Sequence, residues 1–479
     1  MTQTTTQSAA PAVSLDFSTL PLAPPLAQAI RVLGFSQMTP VQEHALPSLL
    51  AGRDVIAQAR AGSGKTVAFG LGLLARLQTE GDAASGAARV QALVLCPTRE
   101  LADQVANELR RLARFLANVR IVTLCGGVPV RTQRPSLQIA PHVVVGTPGR
   151  VLDHLQRGTI ELGALRVLVL DEADRMLDMG FLESITDVVE QAARERQTLL
   201  FSATFPHEIR ALSRELQRDP VAVTVDNAVS EADIEQLCFA VDPAHKPAQK
   251  IDALAALLLH YRPESTLVFC HTRSDVREVT AQLGERGFSV LALHGELEQR
   301  ERDEVLLRFA NKSCSVLVAT DVAARGLDIK DLSAVVSWEL PTDADVHVHR
   351  IGRTGRAGSK GLALALCSPR ERERLVAIER ATGAAVRFGQ LPSGSADSQP
   401  TPPAMTTLLI DGGKQDKLRA GDLLGALTGD VGLPGEVVGK IHIAARYSYV
   451  AIRRDRAEAA LQGLRAGKIK RRSFRVRKL

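Results

Sequence analysis

One run of residues, Val167-Leu168-Val169-Leu170-Asp171-Glu172-Ala173-Asp174, predicts an α/β fold. Four consecutive apolar residues are typical of a strand that is buried on both faces, as in a parallel sheet covered by helices. Such a strand carries the acidic residues that follow it to the carboxyl edge of the sheet, where ligands bind. At that edge, Asp171 is placed to hold magnesium, and Glu172 is placed to accept a proton from a water molecule that attacks phosphate.

A phosphate-binding loop is predicted upstream, at residues 59–66, where the sequence reads Ala-Arg-Ala-Gly-Ser-Gly-Lys-Thr after a short apolar strand. Small residues let backbone N–H groups surround a phosphate, while Lys65 supplies a positive charge and Thr66 a hydroxyl for the metal. Ala59 replaces the first glycine of the usual pattern, and a Gly-rich turn without a ligand is the alternative. The acidic motif downstream favours a nucleotide site, with phosphate contacts from Gly62, Ser63, Gly64, Lys65 and Thr66 and metal ligands Thr66 and Asp171.

Length and composition bound the remaining possibilities. At 479 residues the chain is long enough for about three domains, each with its own core. The six cysteines are at least 29 residues apart, so neither a zinc-binding pair nor a redox motif is indicated, and a cytoplasmic location is expected. His347 and His349 have the spacing of a metal-binding pair on a strand, but no third ligand supports such a site. Residues 1–13 lack the pattern of a signal peptide, and no later apolar run is long enough to span a bilayer.

The positive charge lies mainly at the C-terminal end. The net charge is +6, but residues 403–479 contain 16 Lys and Arg against 7 Asp and Glu, which leaves the preceding residues with a net −3. Six basic residues and no acidic ones occur in 470–479. This pattern is typical of a surface that binds the phosphate backbone of a nucleic acid, although a solvated basic face is the alternative.

Domain boundaries follow from changes in composition. Residues 392–403 are rich in Pro and Ser and lack apolar periodicity, which predicts a partly extended linker. Upstream, two sets of strands alternate with helical stretches and look like two copies of one α/β architecture, although only the first contains a phosphate loop. Strands of the second set are predicted at 266–270, 290–293, 316–320, 334–340 and 362–366. The expected segments are 1–225, 234–389, a flexible linker at 390–405, and a C-terminal module at 406–479.

A basic run occurs in the second set, where His349-Arg350-Ile351-Gly352-Arg353-Thr354-Gly355-Arg356 places three arginines at three-residue intervals. A guanidinium group suits the γ-phosphate and its transition state, so Arg353 and Arg356 are candidate arginine fingers. A solvated basic helix is the alternative. Because the run and the phosphate loop belong to different domains, hydrolysis is expected to require closure of the two domains.

These motifs, with several others in the same order, resemble those of the DEAD-box RNA helicases. The resemblance spans residues 15–385 and implies two RecA-like parallel-sheet domains in tandem. It also implies an RNA-dependent ATPase. The motifs that carry it are the phosphate loop, Pro97-Thr98-Arg99-Glu100-Leu101, Gly126-Gly127, Thr147-Pro148-Gly149-Arg150, residues 171–174, Ser202-Ala203-Thr204, Ala319-Thr320-Asp321 with Arg325-Gly326-Leu327-Asp328, and residues 349–356.

The resemblance implies roles that the residues alone do not reveal. Gln42 would read the edge of adenine and favour ATP, and Phe17 would stack on the base. Without the family, Phe17 reads as a core residue and Gln42 as a helix surface residue. Asp328 would contact the ribose. Ser202 and Thr204 would couple the state of the nucleotide to domain closure, with a buried hydroxyl turn as the alternative.

RNA contacts are also implied by the resemblance. They would involve phosphates and ribose hydroxyls rather than bases, and such contacts position a strand without reading its sequence. The implied residues are Arg99, Gly127, Thr147 and Arg150 in the first domain and Arg273, Arg302 and Thr320 in the second. The basic C-terminal end adds Lys470, Arg471 and Arg472 as candidates.

The C-terminal module is predicted to be a small RRM-like α+β domain with the element order βαββαβ. Its strands are expected at 407–411, 440–444, 447–453 and 473–477, and its helices at 420–427 and 457–464. Tyr447 and Tyr449 would lie on one face of the sheet, with Val450 and Ile452 in the core. The two rings could stack on bases or close a hydrophobic patch, and both readings stay open because the first strand has no aromatic residue.

The module also resembles the RNA-binding module of a bacterial branch of the family that acts in ribosome assembly, in residues 410–414, 421–429 and 439–441. This resemblance implies an ATP-dependent RNA helicase that unwinds RNA duplexes locally. A hairpin of 23S ribosomal RNA in pre-50S particles would be its target, and ATP and Mg²⁺ its cofactors. No membrane or protein partner is expected. An ATP-gated RNA clamp and a DNA-directed helicase are the alternatives.

Overall fold

The computed structural model describes most of the chain, namely residues 16–59, 62–78, 89–225, 234–242, 249–324, 332–355, 360–382, 385–392 and 399–479. Among the helices in these ranges, none combines the length and apolar character needed to cross a bilayer. Asp328 and Arg356, two of the candidate site residues, lie outside the described residues.

The first domain is built on a sheet of seven parallel strands. Its strands are β1 (Val55–Gln58), β2 (Ala92–Leu95), β3 (Ile121–Leu124), β4 (Val143–Gly146), β5 (Val167–Asp171), β6 (Gln197–Ser202) and β7 (Val221–Thr224). Its helices are α1 (Pro24–Val32), α2 (Pro40–Leu50), α3 (Lys65–Ala75), α4 (Arg99–Leu112), α5 (Pro148–Gln156), α6 (Ala173–Asp178), α7 (Leu182–Glu190) and α8 (His207–Leu216). The strands lie in the order β3-β4-β2-β5-β6-β1-β7, so the phosphate loop and the acidic motif end up at the same edge.

Strand β5 is buried on both faces, as its apolar run predicts. Val167 and Val169 pack into the core on one side of the sheet, and Leu168 and Leu170 pack into the core on the other. Val169 pairs in register with Val94 of the neighbouring strand β2. Burial of such a side chain stabilises the fold by roughly 1.5–3 kcal/mol relative to leaving it exposed. The acidic residues at the end of β5 are therefore held on a rigid strand.

The second domain repeats the architecture of the first. Its strands are β8 (Ile234–Ala240), β9 (Thr266–Cys270), β10 (Val290–Leu293), β11 (Val316–Thr320), β12 (Ala334–Ser337), β13 (Gly361–Cys367) and β14 (Arg387–Phe388). Its helices are α9 (Gln249–Tyr261), α10 (Arg273–Glu285), α11 (Gln299–Ala310), α12 (Asp321–Ala324), α13 (Ala344–Ile351) and α14 (Arg372–Thr382). The order β10-β11-β9-β12-β13-β8-β14, with every pair parallel, reproduces the topology of the first sheet strand by strand.

The C-terminal domain has the predicted order of elements. Its strands are β15 (Met405–Ile410), β16 (Val438–Ile443), β17 (Ser448–Arg453) and β18 (Val476–Lys478), and its helices are α15 (Ala420–Gly425) and α16 (Ala457–Ala466). The sheet is antiparallel in the order β16-β17-β15-β18. Val450 and Ile452 lie in the core beneath the helices, as expected from the alternation along β17.

The fold class predicted from the sequence is confirmed, with local differences. Strand β8 was not among the predicted strands of the second set because Glu235 and Gln236 interrupt its apolar pattern. The expected strand 334–340 is shorter and ends at Ser337. His347 and His349, which have the spacing of a pair on a strand, lie instead on helix α13, where residues two apart point in different directions.

Candidate nucleotide and RNA sites

The phosphate loop leads from strand β1 into helix α3. Gly62 and Gly64 have left-handed backbone conformations, with φ of 86° and 93°, which glycine adopts without steric cost. A Cβ atom on Gly64 would collide with the side chains of Thr39 and Gln42. The backbone N–H groups in the first turn of α3 form a site that favours anions. Lys65 and Thr66 occupy the first turn of this helix, as the motif predicts.

Two buried charges face each other beside this loop. Lys65 Nζ lies 3.5 Å from Asp171 Oδ1, and both side chains are almost completely buried. Among the described residues, neither of these two atoms has a hydrogen-bond partner. Burial raises the pKa of the Asp171 carboxyl, and the positive charge of Lys65 opposes that rise. Buried charges with unsatisfied atoms are costly, so the pair has the properties of a site that a charged ligand completes.

The next carboxylate of the acidic motif is held by an arginine. Glu172 has a φ of 55° and precedes helix α6, and its Oε2 accepts a hydrogen bond of 2.7 Å from Arg175 Nη1. Both side chains are buried. Sequence reasoning did not single out Arg175, although its position three residues after Glu172 on a helix was a usable signal.

Asp174 joins the acidic motif to the neighbouring strand β6. Its Oδ2 accepts hydrogen bonds from the backbone N–H groups of Ala203 and Thr204, each at 3.1 Å, and from Thr204 Oγ1 at 3.2 Å. Ser202 Oγ donates to the Thr204 carbonyl at 2.7 Å. Ser202 and Thr204 therefore form a hydroxyl turn bonded to the acidic motif, and their role in coupling nucleotide state to closure stays a prediction.

Gln42 is a buried residue rather than a helix surface residue. Its Oε1 accepts from the backbone N–H of Thr39 at 2.9 Å, which caps helix α2, and its Nε2 donates to the Gly64 carbonyl at 3.1 Å. The side-chain amide thus links the start of α2 to the phosphate loop. Phe17 is also buried, 5% exposed, with its ring 6.4 Å from that of Phe35. Contact of either residue with adenine stays a prediction.

The candidate RNA residues of the first domain lie together at one edge. Arg99, Gly127 and Thr147 follow the ends of strands β2, β3 and β4, which are neighbours in the sheet. Thr147 Oγ1 accepts a hydrogen bond of 3.4 Å from Gly126 N, and Arg150 lies in the first turn of α5. The structure therefore brings all four residues to the carboxyl ends of three adjacent strands.

The candidate RNA residues of the second domain occupy the corresponding edge. Arg273 begins helix α10 after β9, and Thr320 ends the neighbouring strand β11. Arg302, on α11, donates from Nη2 to the Ala323 carbonyl at 2.8 Å, and Thr320 Oγ1 accepts from Ala323 N at 3.3 Å. Arg273 is exposed and forms an ion pair of 2.6 Å with Glu296.

Of the three arginines in the basic run, Arg350 has a structural role. It is 2% exposed, and it donates to both carboxylate oxygens of Asp321 at 2.8 and 2.7 Å, to Ser337 Oγ at 3.0 Å and to the Glu339 carbonyl at 2.7 Å. Its guanidinium also lies 5.1 Å from the ring of Phe269. Arg353 is likewise buried, 7% exposed, just after helix α13.

The C-terminal domain has an open basic cavity of about 560 Å³, lined by Lys414, Lys417, Leu418, Arg419, Ile443 and Lys470. Lys417, Lys470 and Arg471 have φ values of 61°, 52° and 66°, a left-handed conformation that is uncommon for residues other than glycine. Lys470 Nζ donates to the Lys417 carbonyl at 3.0 Å.

The face of the C-terminal sheet that carries Tyr447 and Tyr449, the tyrosine face, packs against the second α/β domain. The guanidinium of Arg300, on helix α11, lies 4.2 Å from the centre of the Tyr447 ring. Lys440 Nζ donates to the Ala310 carbonyl at 3.4 Å, and Asn311 Nδ2 donates to Thr407 Oγ1 at 2.9 Å. Tyr449 is 6% exposed. Of the two readings left open for these rings, the structure favours a packed patch over a platform for bases.

Comparisons with known proteins agree with this architecture. Three family models match, described as DEAD/DEAH box helicase over residues 39–212, Helicase conserved C-terminal domain over 249–358 and DbpA RNA binding domain over 407–478. The ATP-dependent RNA helicase DbpA of Escherichia coli (strain K12) is 53% identical over 464 residues, which cover 97% of this chain and 99% of that protein. The chain belongs to the DEAD-box ATP-dependent RNA helicases.

A second curated helicase and a solved helicase structure are also similar to this chain. The ATP-dependent RNA helicase CshA of Limosilactobacillus reuteri is 41% identical over 77% of this chain and 72% of its own length. The solved structure of S. cerevisiae Dbp5 bound to RNA and ADP BeF3 is 33% identical, with a TM-score of 0.69, and the match covers 79% of this chain and 95% of that one. The predicted tandem of RecA-like domains, the DbpA-type C-terminal domain and RNA-dependent ATPase activity are therefore confirmed.

Proposed function

We propose that this helicase unwinds short RNA duplexes locally and that its C-terminal domain directs it to 23S ribosomal RNA in pre-50S particles. The observation that carries the proposal is the 53% identity to a DbpA helicase over 97% of the chain, together with the match of residues 407–478 to the DbpA RNA binding domain. A ribosomal target also implies a cytoplasmic location. Phosphate contacts along both α/β domains suit an enzyme that acts on RNA of any sequence, so the choice of substrate would come from the C-terminal domain.

Magnesium and ATP fit the residues of the first domain. Within the described residues, Lys65 Nζ and Asp171 Oδ1 are buried without hydrogen bonds, and the side chains of Thr39 and Gln42 leave no space for a Cβ atom at Gly64. Thr66 and Asp171 would hold the metal, and backbone N–H groups from Gly62 to Thr66 would surround the phosphates. The metal would supply positive charge that stabilises the charge developing on the phosphates.

Glu172 would accept a proton from the attacking water molecule, and Arg353 and Arg356 would stabilise negative charge on the γ-phosphate. Asp328 would contact the ribose, while Gln42 and Phe17 would bind adenine. Because the base and the arginines belong to different domains, ATP and RNA together would drive closure. Hydrolysis and phosphate release would then reopen the enzyme, so that strand separation needs no movement along the RNA.

The basic cavity is the RNA-binding surface that we assign to the C-terminal domain. Its lining includes Lys414, Lys417, Arg419 and Lys470, with Arg471 and Arg472 adjacent in sequence. The tyrosine face supports this choice indirectly, because helix α11 packs on it. Cationic side chains in a concave surface concentrate positive potential and attract RNA phosphates.

The test compares RNA-stimulated ATP hydrolysis with a 23S ribosomal RNA fragment and with an unrelated RNA of the same length. We expect Lys417→Glu/Lys470→Glu to abolish the preference for the ribosomal fragment while the unrelated RNA still stimulates hydrolysis. Arg454→Glu, an exposed residue outside the cavity, is the control. An unchanged preference would refute the assignment of the cavity. Displacement of a labelled strand, measured in parallel, separates a helicase from an RNA clamp.

A further inference from the structure

We infer that Gln133 is a positioning residue for RNA binding, which orients Arg150 and the Gly126-Gly127 turn toward the phosphate backbone of RNA. No motif of the family resemblance includes this residue. The inference rests on the RNA contacts proposed above for the first domain. It explains how Gly127, Thr147 and Arg150 keep fixed positions relative to one another.

The side chain of Gln133 connects three segments of the first domain. Its Oε1 accepts hydrogen bonds from Arg150 Nη1 at 2.7 Å and from His154 Nε2 at 3.0 Å. Its Nε2 donates to the carbonyl of Cys125 at 3.1 Å. The residue lies between two short 3₁₀ turns, Val130–Thr132 and Arg134–Leu137, and its own backbone N–H is bonded to the Val130 carbonyl at 2.9 Å.

Only one orientation of the amide satisfies these contacts. A guanidinium group donates hydrogen bonds and never accepts them, so the atom facing Arg150 must be the oxygen. The amide nitrogen then faces the Cys125 carbonyl, which requires a donor. His154 must carry its proton on Nε2 to donate to the same oxygen, and its Nδ1 lies 2.7 Å from Thr159 Oγ1. Because His154 is completely buried, it fixes Gln133 from the side opposite to solvent.

This network reaches three of the candidate RNA contacts. Cys125 immediately precedes the Gly126-Gly127 turn, in which Gly127 has a φ of 81°, and Gly126 N is bonded to Thr147 Oγ1. One hydrogen-bonded network therefore includes the glycine turn, Thr147 and Arg150.

Arg150 also has a competing partner. Its Nε lies 3.8 Å from Asp153 Oδ2, on the next turn of helix α5. Without Gln133, the guanidinium would be free to turn toward that carboxylate, and RNA binding would have to order it again. Ordering a long side chain costs free energy, so an arginine that is held in advance gives tighter binding.

The test uses Gln133→Met, which keeps the length of the side chain and removes its hydrogen bonds. With uridine homopolymer RNA, we expect the RNA concentration for half-maximal ATP hydrolysis to rise on the order of tenfold, or about 1.4 kcal/mol. Arg150→Ala should cause a similar rise. The double variant should lose less than the sum of the two single losses, because part of the effect of Gln133 acts through Arg150. Gln138→Met, an exposed glutamine on the same segment, is the control.

Each outcome bears on the inference. A Gln133→Met enzyme that binds RNA as tightly as the parent overturns it, and so does a double variant whose losses add. If Arg150→Ala has no effect, both the proposed contact and this inference fail. Binding of a fluorescent ADP analogue without RNA serves as the fold check. If the methionine variant fails that check, the same cycle is run with Gln133→Glu, which keeps an acceptor for Arg150 and should give a smaller rise.

Discussion

The two α/β domains differ in how they treat buried charges. In the first domain, Lys65 Nζ and Asp171 Oδ1 lie 3.5 Å apart, and neither atom has a hydrogen bond within the described residues. In the second domain, the buried Arg350 makes four hydrogen bonds. The two sheets share one strand order, so the difference is not one of topology. It lies in the side chains at the carboxyl edge of each sheet.

The contrast concerns whether a buried charge has its hydrogen-bond partners within the protein. A buried ion pair without further hydrogen bonds costs free energy, and a charged ligand that supplies those bonds lowers the cost. Arg350 instead satisfies Asp321, Ser337 and the Glu339 carbonyl at once, so its charge is neutralised inside the protein. The two copies of one architecture therefore differ at this edge: the first has a buried charge pair without further hydrogen bonds, and the second has a buried arginine whose hydrogen bonds are made within the protein.

The largest effect is expected from Glu172→Gln, which alters the carboxylate next to Asp171 in the first domain. The amide has the size of the carboxylate but cannot accept the proton of the attacking water, so ATP turnover at saturating RNA should fall by up to about 10⁴-fold. Phosphate release gives the measurement, and Glu183→Gln, exposed on helix α7, is the control. A fully active Glu172→Gln enzyme would remove Glu172 from the role of general base.

Arg353→Ala tests whether Arg353 contributes to ATP hydrolysis or, like Arg350, to the stability of the second domain. As an arginine finger it should contribute on the order of 10³ to the rate of hydrolysis, with little loss of stability. ATPase rates and thermal unfolding of the same protein samples are compared, with the exposed Arg370→Ala as the control. Loss of stability with normal turnover would show that Arg353, like Arg350, is structural.

Arg350→Met should unfold the second domain more easily. Removal of one partner leaves the Asp321 carboxylate partly buried and unpaired, which should lower the free energy of unfolding by about 3–5 kcal/mol. Urea denaturation provides the measurement. The double variant Arg350→Met/Asp321→Asn should recover part of that loss, because it removes both charges together. A single variant as stable as the parent would contradict the structural role of Arg350.

We expect the stability of the second domain to depend on pH through His347. Burial, together with the nearby charge of Arg350, lowers the pKa of His347 from 6.5 to about 4. As the pH falls below about 6.5, the unfolded chain takes up a proton that the folded chain refuses until about pH 4, so stability is lost in this window, by up to about 3 kcal/mol. His347→Gln should flatten the unfolding free energy between these pH values, whereas exposed His207→Gln should not. Equal slopes in both variants would exclude His347 as the cause.

Much of the fold was predictable because it depends on repeated local patterns. The apolar run before Asp171 predicted a strand buried on both faces, and the alternation around Val450 predicted the core side of β17. Strand β8 escaped prediction because two polar residues interrupt its pattern. Such a strand is specified by its neighbours in the sheet, which the local sequence does not reveal.

The candidate site was predictable only where residues form motifs. Lys65 and Asp171 were found from the spacing of charges and glycines, and they do face each other. Gln133 was missed because a single polar residue carries no signal until the fold brings its partners close. Arg175 was overlooked although its spacing of three residues from Glu172 on a helix was a signal. The side chain of Gln42 contacts the phosphate loop 22 residues away, a relation that only the tertiary structure supplies.

Helix α11 carries the half-buried Arg302 and contacts the C-terminal domain through Arg300. A tether sets only a maximum reach, whereas a docked domain sets a spacing. The RNA segment bound by the C-terminal cavity and the segment bound by Arg302 would therefore be separated by a constant number of nucleotides. Lengthening the 390–405 linker would then leave the choice of duplex unchanged. Loss of the Arg300–Tyr447 contact would instead allow duplexes at other distances from the bound segment to be unwound.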